Sequence, residues 1–306
     1  MKKLVSVIIP CYNSEKFVSR AIESVLAQTH VEWELILVNN NSVDSTLNVL
    51  TYYQKKNPEK IYIYEELKAG APAARNKGLL NAKGEWIQFL DADDEIFTDK
   101  LERQLNLASN NDGNVISGCY FFISGLTEKK LFKGVSSGNV WLGLIKSQLG
   151  ITSANLWERS KLIEVGGWDE TLTSSQEYNL LFRILVSGGL IKFDETPSCN
   201  VYAEENSISR PKDISSRIKV ADNLINSRLK IRQHLIENNL MTKKLKTSID
   251  LGIYKYLMTK RIYFPDHAMR LLRHANPKVP WWDIFYENAK HNIKIIFQII
   301  GVRKWK

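Results

Sequence analysis

In the stretch Glu85-Trp86-Ile87-Gln88-Phe89-Leu90-Asp91-Ala92-Asp93-Asp94-Glu95, an apolar run ends in a cluster of carboxylates. Trp86, Ile87, Phe89 and Leu90 are residues of a sheet interior, so the stretch predicts a buried strand that delivers acids to its own carboxyl end. In open α/β sheets that edge is where ligands bind. Asp91 and Asp93 stand two apart and can point to one side of an extended backbone. Their oxygens suit a hard cation or a polar substrate. A solvated acidic loop is the plainer alternative.

The surrounding elements must bring other polar groups to the same edge. Leu4–Ile9 is a β-branched run closed by Pro10, and Phe17, Val18, Ala21, Ile22, Val25 and Leu26 give the apolar face of a helix after it. Trp33–Val38 repeats the pattern and ends in Asn39-Asn40-Asn41-Ser42, with Asp44 placed to cap a helix bearing Leu47, Leu50 and Tyr53. Lys60–Tyr64 predicts a third strand, and Pro72 to Ala82 a short helix with proline in its first turn. Strands that are continuously apolar and alternate with helices predict an α/β fold with a mainly parallel sheet covered on both faces. Four segments, Pro10–Asn13, Asn39–Ser42, the residues near Leu67–Gly70, and Asp91–Asp94, should then share one rim.

Further on, a helix is expected over Asp99–Ala108 and a strand over Val115–Ile123, followed by a poorly periodic Gly- and Ser-rich stretch from Ser124 to Gly143 of the kind that shapes clefts. Gly166-Gly167-Trp168-Asp169-Glu170 leads to Ser175-Gln176-Glu177 and a helix with Leu180, Leu181, Ile184 and Leu185. Leu190–Phe193 reads as a last short strand and Tyr202–Ser209 as a loop. Beyond Pro211 only helical periodicity remains: Ile214, Ile218, Ala221, Ile225 and Leu229 share one face, then Leu245, Ile249, Ile253, Tyr256 and Leu257 another. A final helix is expected from Pro280, with Phe285, Ala289, Ile293, Ile296, Phe297 and Ile300 on its stripe. The expected division is residues 1–210 and 211–306.

Charge divides the chain at the same place. Of 42 Lys and Arg and 33 Asp and Glu, residues 210–306 hold 21 against 7, leaving the first 209 residues acidic by 5. A basic helical tail suits an anionic partner, a phospholipid surface above all; nucleic acid is set aside because no recognition motif accompanies the charge. The tail helices could equally pack on the first domain with solvated basic faces. Cys11, Cys119 and Cys199 have no metal spacing, which fits a reducing compartment without a disulfide framework. No run of roughly 20 apolar residues could span a bilayer, and the first residues lack a signal peptide's length and cleavage site. A cytoplasmic protein is expected, with a peripheral position on the inner face of the membrane as an extension.

With these elements in place, Ser6-Val-Ile-Ile-Pro10-Cys-Tyr12-Asn13, Ala74-Arg75-Asn76-Lys-Gly78, Asp91-Ala92-Asp93-Asp94 and Gly166-Gly167-Trp168-Asp169 resemble, in order and spacing, the motifs of the family 2 glycosyltransferases, over residues 4–209. The resemblance implies a GT-A (Rossmann-like) fold, a nucleotide-sugar donor, a divalent metal (Mn or Mg), and inversion at the anomeric carbon. It also implies that Pro10, Tyr12 and Glu15 line the nucleotide pocket, with Asn13 and Ala92 in the same motif segments, and that Arg75 faces the diphosphate. Asp91 would meet the ribose or the metal, Asp93 would bind the metal, and Glu177 would take the place of the catalytic base. Trp168 and Asp169 resemble the acceptor-side loop, although a Trp after Gly-Gly is as readily core. Glu204 lies where relatives can place a metal-binding His.

Two departures from the family pattern bear on chemistry. Where Glu-Asp is usual, this chain has Gln176-Glu177, which keeps a carboxylate on a longer arm; a glutamate stabilised by the helix dipole is the plain reading. Where Asp-Asp is usual, it has Asn39-Asn40. An amide can both accept from the N3–H of uracil or thymine and donate to a carbonyl, so a UDP- or dTDP-sugar is favoured over a guanine nucleotide. Simple turn and cap roles are the alternative. The expected activity is transfer to a saccharide or lipid-linked acceptor in surface-polysaccharide or glycolipid synthesis. The competing reading is a nucleotide-sugar-binding or membrane-docked protein without turnover.

Overall fold

A computed structural model describes residues 3–109, 113–124, 129–136, 138–203 and 213–286. The chain forms two compact units, one of Met1–Leu172 with Gln176–Glu205, the other of Thr173–Ser175 with Asn206–Lys306. The expected boundary at 210, Glu204, and the stripe from Ala289 to Ile300 lie outside the described residues.

The first unit opens with β1 (Val5–Cys11), α1 (Val18–Leu26), β2 (Trp33–Asn39), α2 (Thr46–Lys56), β3 (Ile61–Glu65), α3 (Ala71–Asn81) and β4 (Trp86–Phe89). These strands lie in the order β3-β2-β1-β4, all parallel, with Cys11 opposite Asn39 and Ile8 opposite Phe89. Their carboxyl ends therefore share one rim, as the alternation of strand and helix requires. Every residue of β2 and β4 is buried. On β1, Val5, Val7, Ile9 and Cys11 join a core with Val18, Ala21, Ile22 and Val25 of α1 and Leu50 and Tyr53 of α2. Ile8, on the opposite face, meets α3 at Gly78. Helices thus cover both faces, which is why these strands carry no polar alternation.

The sheet continues through β5 (Glu95–Ile96), α4 (Lys100–Ser109), β6 (Val115–Ser124), β7 (Lys130–Lys133), α5 (Val140–Ile145), β8 (Leu156–Glu158), α6 (Arg159–Glu164), α7 (Gln176–Val186) and β9 (Ile191–Ala203). Among the described residues nine strands form one sheet of order β3-β2-β1-β4-β8-β6-β9-β5, with β7 on β6. Strand β8 runs antiparallel between β4 and β6, so the sheet is mixed.

Two expectations are corrected. The last strand is not a short Leu190–Phe193 element: β9 runs for 13 residues and includes Tyr202. Its pairing with β6 jumps from Gly118–Asp194 to Cys119–Pro197, so Glu195 and Thr196 are looped out as a bulge, and after a second shift between Cys119 and Phe121 the ladder resumes at Phe121–Asn200. An acid and a proline inside the run mask the strand in the sequence. The stretch 124–143 is also not only loop. Residues 130–133 pair with β6, and α5 is capped by Asn139, whose Oδ1 accepts from the Leu142 N–H at 3.0 Å.

In the second unit α8 (Ile214–Glu237) and α9 (Lys243–Lys260) start on side-chain caps, Asp213 accepting from Ser216 N at 2.7 Å and Thr242 from Leu245 N at 3.3 Å. A third helix not singled out from sequence, α10 (Pro265–Ala275), has proline in its first turn and ends on Asn276 in the left-handed region. Ala221, Phe264 and Ala268 pack together with Ile218, Tyr256 and Leu271.

Gly84 turns the chain from α3 into β4. Its N–H donates to Ser6 Oγ at 2.8 Å, and a Cβ there would sit 2.5 Å from the Ser6 backbone nitrogen and 2.9 Å from the Leu4 carbonyl. Backbone cannot rotate aside, so Gly84→Ala should destabilise the chain by about 1–3 kcal/mol, read as a lowered midpoint in thermal unfolding.

Candidate active site

The rim is built from crossed braces between strand ends. After β1, the Asn13 N–H donates to Ser42 Oγ (3.1 Å) and Asn13 Oδ1 accepts from Val43 N (2.9 Å). Glu15 accepts from Ser45 N at 2.8 Å, and its own N–H donates to Asp44 at 3.2 Å. Asp44 also accepts from Thr46 N at 3.0 Å, so it serves the start of α2 from one residue before the cap. Burial pushes the Asp44 carboxyl up, but the hydrogen bonds from Thr46 and Glu15 outweigh it and hold the carboxyl below its ordinary range. Asn13 takes a positive φ of 45° to make this crossing. Pro10 ends the wall beside it half-buried, and Tyr12 stands 64% exposed above the rim.

The two asparagines do different work. Asn40 spends its amide on the loop after β3: Nδ2 donates to the carbonyls of Glu66 (2.7 Å) and Lys68 (2.8 Å), and Oδ1 accepts from Gly70 N (2.8 Å). Asn39 is 8% exposed and its Oδ1 meets no hydrogen-bond partner among the described residues.

Asp91 to Asp94 form a turn, closed by Asp94 N donating to the Asp91 carbonyl at 3.1 Å. Asp91 and Asp93 are half-buried, Ala92 and Asp94 buried. The Ser153 hydroxyl is the wedge beneath them, accepting from Asp91 N (3.2 Å) and donating to Asp94 Oδ2 (2.6 Å). Tyr202 N donates to the other oxygen of Asp94, and Arg20 donates to the Asp93 carbonyl. Burial, reinforced by Asp91 and Asp93, pushes the Asp94 carboxyl well above its ordinary value.

Arg75 joins the acid turn to α7. Its Nη2 pairs with Asp91 Oδ1 at 2.6 Å, its Nη1 donates to Gln176 Oε1 at 3.0 Å, and the guanidinium lies 4.5 Å from the centre of the Trp168 ring. At 5% exposed and so engaged, it has little surface left for a diphosphate. Next in α7 stands Glu177, partly exposed. Desolvation raises its pKa and Asp91 adds to the rise, while its own backbone N–H and Arg75 oppose it. Asp91, Arg75 and Glu177 therefore act on one another electrostatically.

Trp168 is corrected from an acceptor surface to core. It is 2% exposed, with its ring edge-on to Phe89 at 5.1 Å and to Trp157 at 6.2 Å. Its loop is pinned by Asn76, which accepts from Trp168 N (2.8 Å) and donates to the Trp168 carbonyl (2.9 Å) and to Glu170 (2.7 Å). Lys68 meets Glu170 at 2.6 Å from the opposite loop. Asp169 holds the same turn through Thr171, whose N–H and hydroxyl both donate to it.

Asn76 and Ser153 escaped the sequence reading as functional supports. So did a buried chain beneath the turn. Gln88, a polar residue on the wholly buried β4, donates to the Ser153 carbonyl at 3.1 Å and accepts from Lys100. Lys100 also donates to Gln104, which reaches Asp194 at 3.1 Å. The interruption of an apolar run by Gln88 was the available signal.

Among the described residues no group of three or more His, Cys, Asp and Glu side chains is arranged to hold a metal. The three cysteines are free and buried, and burial raises each thiol, so none is poised as a nucleophile.

A mainly parallel sheet with these groups on its rim is a scaffold of GT-A type. Residues 6–163 match Glycosyl transferase family 2, more than half of the 306 residues, and the chain belongs to that family. It is 44% identical over 104 residues to the putative teichuronic acid biosynthesis glycosyltransferase TuaG of Bacillus subtilis, covering 34% of this chain and 41% of that protein. It is 30% identical over 238 residues to the poly(ribitol-phosphate) beta-glucosyltransferase of Bacillus spizizenii, covering 71% and 37%. The chain thus matches less than half the length of either relative. Two solved structures share the fold. TarS 1–349 of S. aureus in complex with UDP-GlcNAc has TM-score 0.61 and 18% identity, over 85% of this chain and 73% of that one. The mannosyltransferase PcManGT of Pyrobaculum calidifontis with GDP-Man and Mn2+ has TM-score 0.63 and 15% identity, over 96% and 81%.

Desolvation lowers the Lys100 ammonium to about 7 in the folded chain, against an ordinary value near 10.4 when unfolded. Between those values the unfolded chain holds a proton the folded one lacks, so this group makes stability rise with pH from about 7 to about 10. In Lys100→Met the slope of unfolding midpoint against pH over that window should flatten.

Proposed function

We propose that the chain is an inverting glycosyltransferase that moves a sugar from a nucleoside diphosphate donor, UDP or dTDP favoured, to a hydroxyl of a saccharide or lipid-linked acceptor. The supporting observation is the single guanidinium of Arg75, hydrogen-bonded to Asp91 of the acid turn and to Gln176 beside Glu177. One rigid group so registers the side that would hold the leaving diphosphate with the side that would activate the acceptor.

In this reading Glu177 accepts the proton of the attacking hydroxyl. Its raised pKa makes it a stronger base than a solvated glutamate, and it must be ionised to act. Asn39, whose buried Oδ1 is uncommitted, is assigned the N3–H of a pyrimidine, and Tyr12 stands exposed two residues after Pro10; Asn40 acts through the loop it ties down. Pro10, Asn13, Glu15 and Ala92 shape the nucleotide pocket. Arg75 stabilises that side by fixing Asp91, and Asp169 with Trp168 shapes the acceptor side through the loop they anchor.

The hard carboxylate oxygens of Asp91 and Asp93 are the donor type a divalent metal takes, and the Asp94 carboxyl beside them is raised by burial first and by their charge second, so added positive charge would be favourable there. Asp91 and Asp93 would hold Mg or Mn as a partial shell. When bound, the ion would neutralise charge developing on the leaving diphosphate.

The names of TuaG and of the poly(ribitol-phosphate) glucosyltransferase support an acceptor in surface-polymer synthesis. The location proposed is cytoplasmic, with peripheral contact at an anionic membrane; no helix among the described residues is long and apolar enough to cross one.

Glu177→Gln should lower transfer by at least about 100-fold while leaving the thermal shift with UDP intact; retained turnover would remove the base assignment. The acid limb of the wild-type rate profile should lie above the ordinary glutamate range. In a panel of UDP-, dTDP- and GDP-sugars with manganese, diphosphate release should favour the pyrimidine donors and vanish in Asp93→Ala. Preferential GDP release would reverse the base assignment, and no release from any donor would favour the binding-protein reading.

A further inference from the structure

The run Pro280-Trp281-Trp282-Asp283-Ile284-Phe285-Tyr286 turns its apolar side chains outward. Trp281 is 72% exposed, Phe285 70%, Trp282 59% and Ile284 37%, whereas Asp283 is the less exposed residue. This inverts the ordinary partition of apolar and charged groups in water. The two indoles touch edge to face at 5.8 Å, and none of these side chains belongs to the packed group around Phe264. The charge around them is mainly basic, although Asp283 lies within the run and Glu287 follows it. Lys278 precedes the run, Lys290, Lys294, Arg303, Lys304 and Lys306 follow it, and residues 210–306 carry 21 basic against 7 acidic side chains.

Exposed indoles and an aliphatic side chain, in a chain segment with excess lysine and arginine, match one solvent boundary. Tryptophan settles at the headgroup level of a bilayer, apolar neighbours enter the acyl boundary, and basic groups are drawn by anionic headgroups. We propose that Trp281, Trp282, Ile284 and Phe285 form an insertion element that seats the helical unit on an anionic phospholipid bilayer. The element enters only the headgroup and upper acyl layer, as a helical stretch of this length lying in the interface must. It rests on the peripheral membrane contact proposed above and uses no step of the transfer reaction.

The test uses the full chain with sedimenting vesicles of phosphatidylcholine alone or mixed with phosphatidylglycerol. Binding should be at least about tenfold stronger to the anionic vesicles and weaken in high salt. The variant W281S/W282S/F285S should lose at least about tenfold in vesicle binding at an unchanged unfolding midpoint. Phosphatidylglycerol with brominated chains should quench the wild-type tryptophan emission. Absence of binding, equal binding by the variant, or absence of quenching would each overturn the insertion element. So would conversion of a wild-type dimer to monomer by the same substitutions, which would assign the face to a second copy. Donor turnover measured alongside keeps the two readings apart: intact turnover without vesicle binding sinks only the insertion.

Discussion

The site depends on a buried guanidinium held between a carboxylate and an amide. Arg75 comes from α3, Asp91 from the turn after β4, and Gln176 from the first turn of α7, elements separated by 16 and 101 residues of chain from the arginine. The Nη1 and Nη2 of Arg75 are engaged while its buried Nε meets no partner among the described residues, and the planar fork permits few arrangements that keep both contacts. The position of α7 is thereby tied to the acid turn, and Trp168 fills the space beneath the guanidinium. Because the α7 partner is a neutral amide, Asp91 alone among these direct partners balances the charge. A glutamate in place of Gln176 would share it and add a negative neighbour to Glu177.

The acid turn rests on polar groups buried under it. Ser153 supports two of its residues, and Gln88, Lys100, Gln104 and Asp194 continue the hydrogen bonding down through the sheet. Such a network costs desolvation and returns geometric definition when satisfied throughout. Here it fixes the height and direction of a short turn whose backbone would otherwise have few constraints. The rim at the ends of β1 and β2 follows the same logic with surface materials: Glu15, Asp44, Asn13 and Ser42 lace the two strand ends together.

Much of this was legible in the sequence because strand burial is written in continuous apolar runs. Ser6 to Pro10, Trp33 to Val38 and Trp86 to Leu90 declared the parallel half of the sheet, and with it the rim that gathers Asn39 and Asp91. The other half, where parallel and antiparallel pairings mix, was less legible. The strand β8 has only three residues, and β9 hides behind Glu195 and Pro197, whose types argue against a strand until the bulge that accommodates them is known. Pairwise side-chain partners were not legible at all. Nothing in the spacing of Asn39 and Asn40 says that one amide is consumed by the loop at Gly70 and the other is not, and nothing in Gly-Gly-Trp says that the indole points into the core rather than at a sugar.

The bulge at Glu195 and Thr196 also has an evolutionary consequence. A residue gained or lost within β2 would turn each following side chain to the opposite face and move Asn39 off the rim. The looped-out pair instead works as slack: an insertion there can be absorbed where the ladder is already broken, leaving Asn200 paired with Glu95 and Tyr202 bonded to the acid turn. Length variation among relatives should therefore collect at this point of the sheet, with the register on either side held constant.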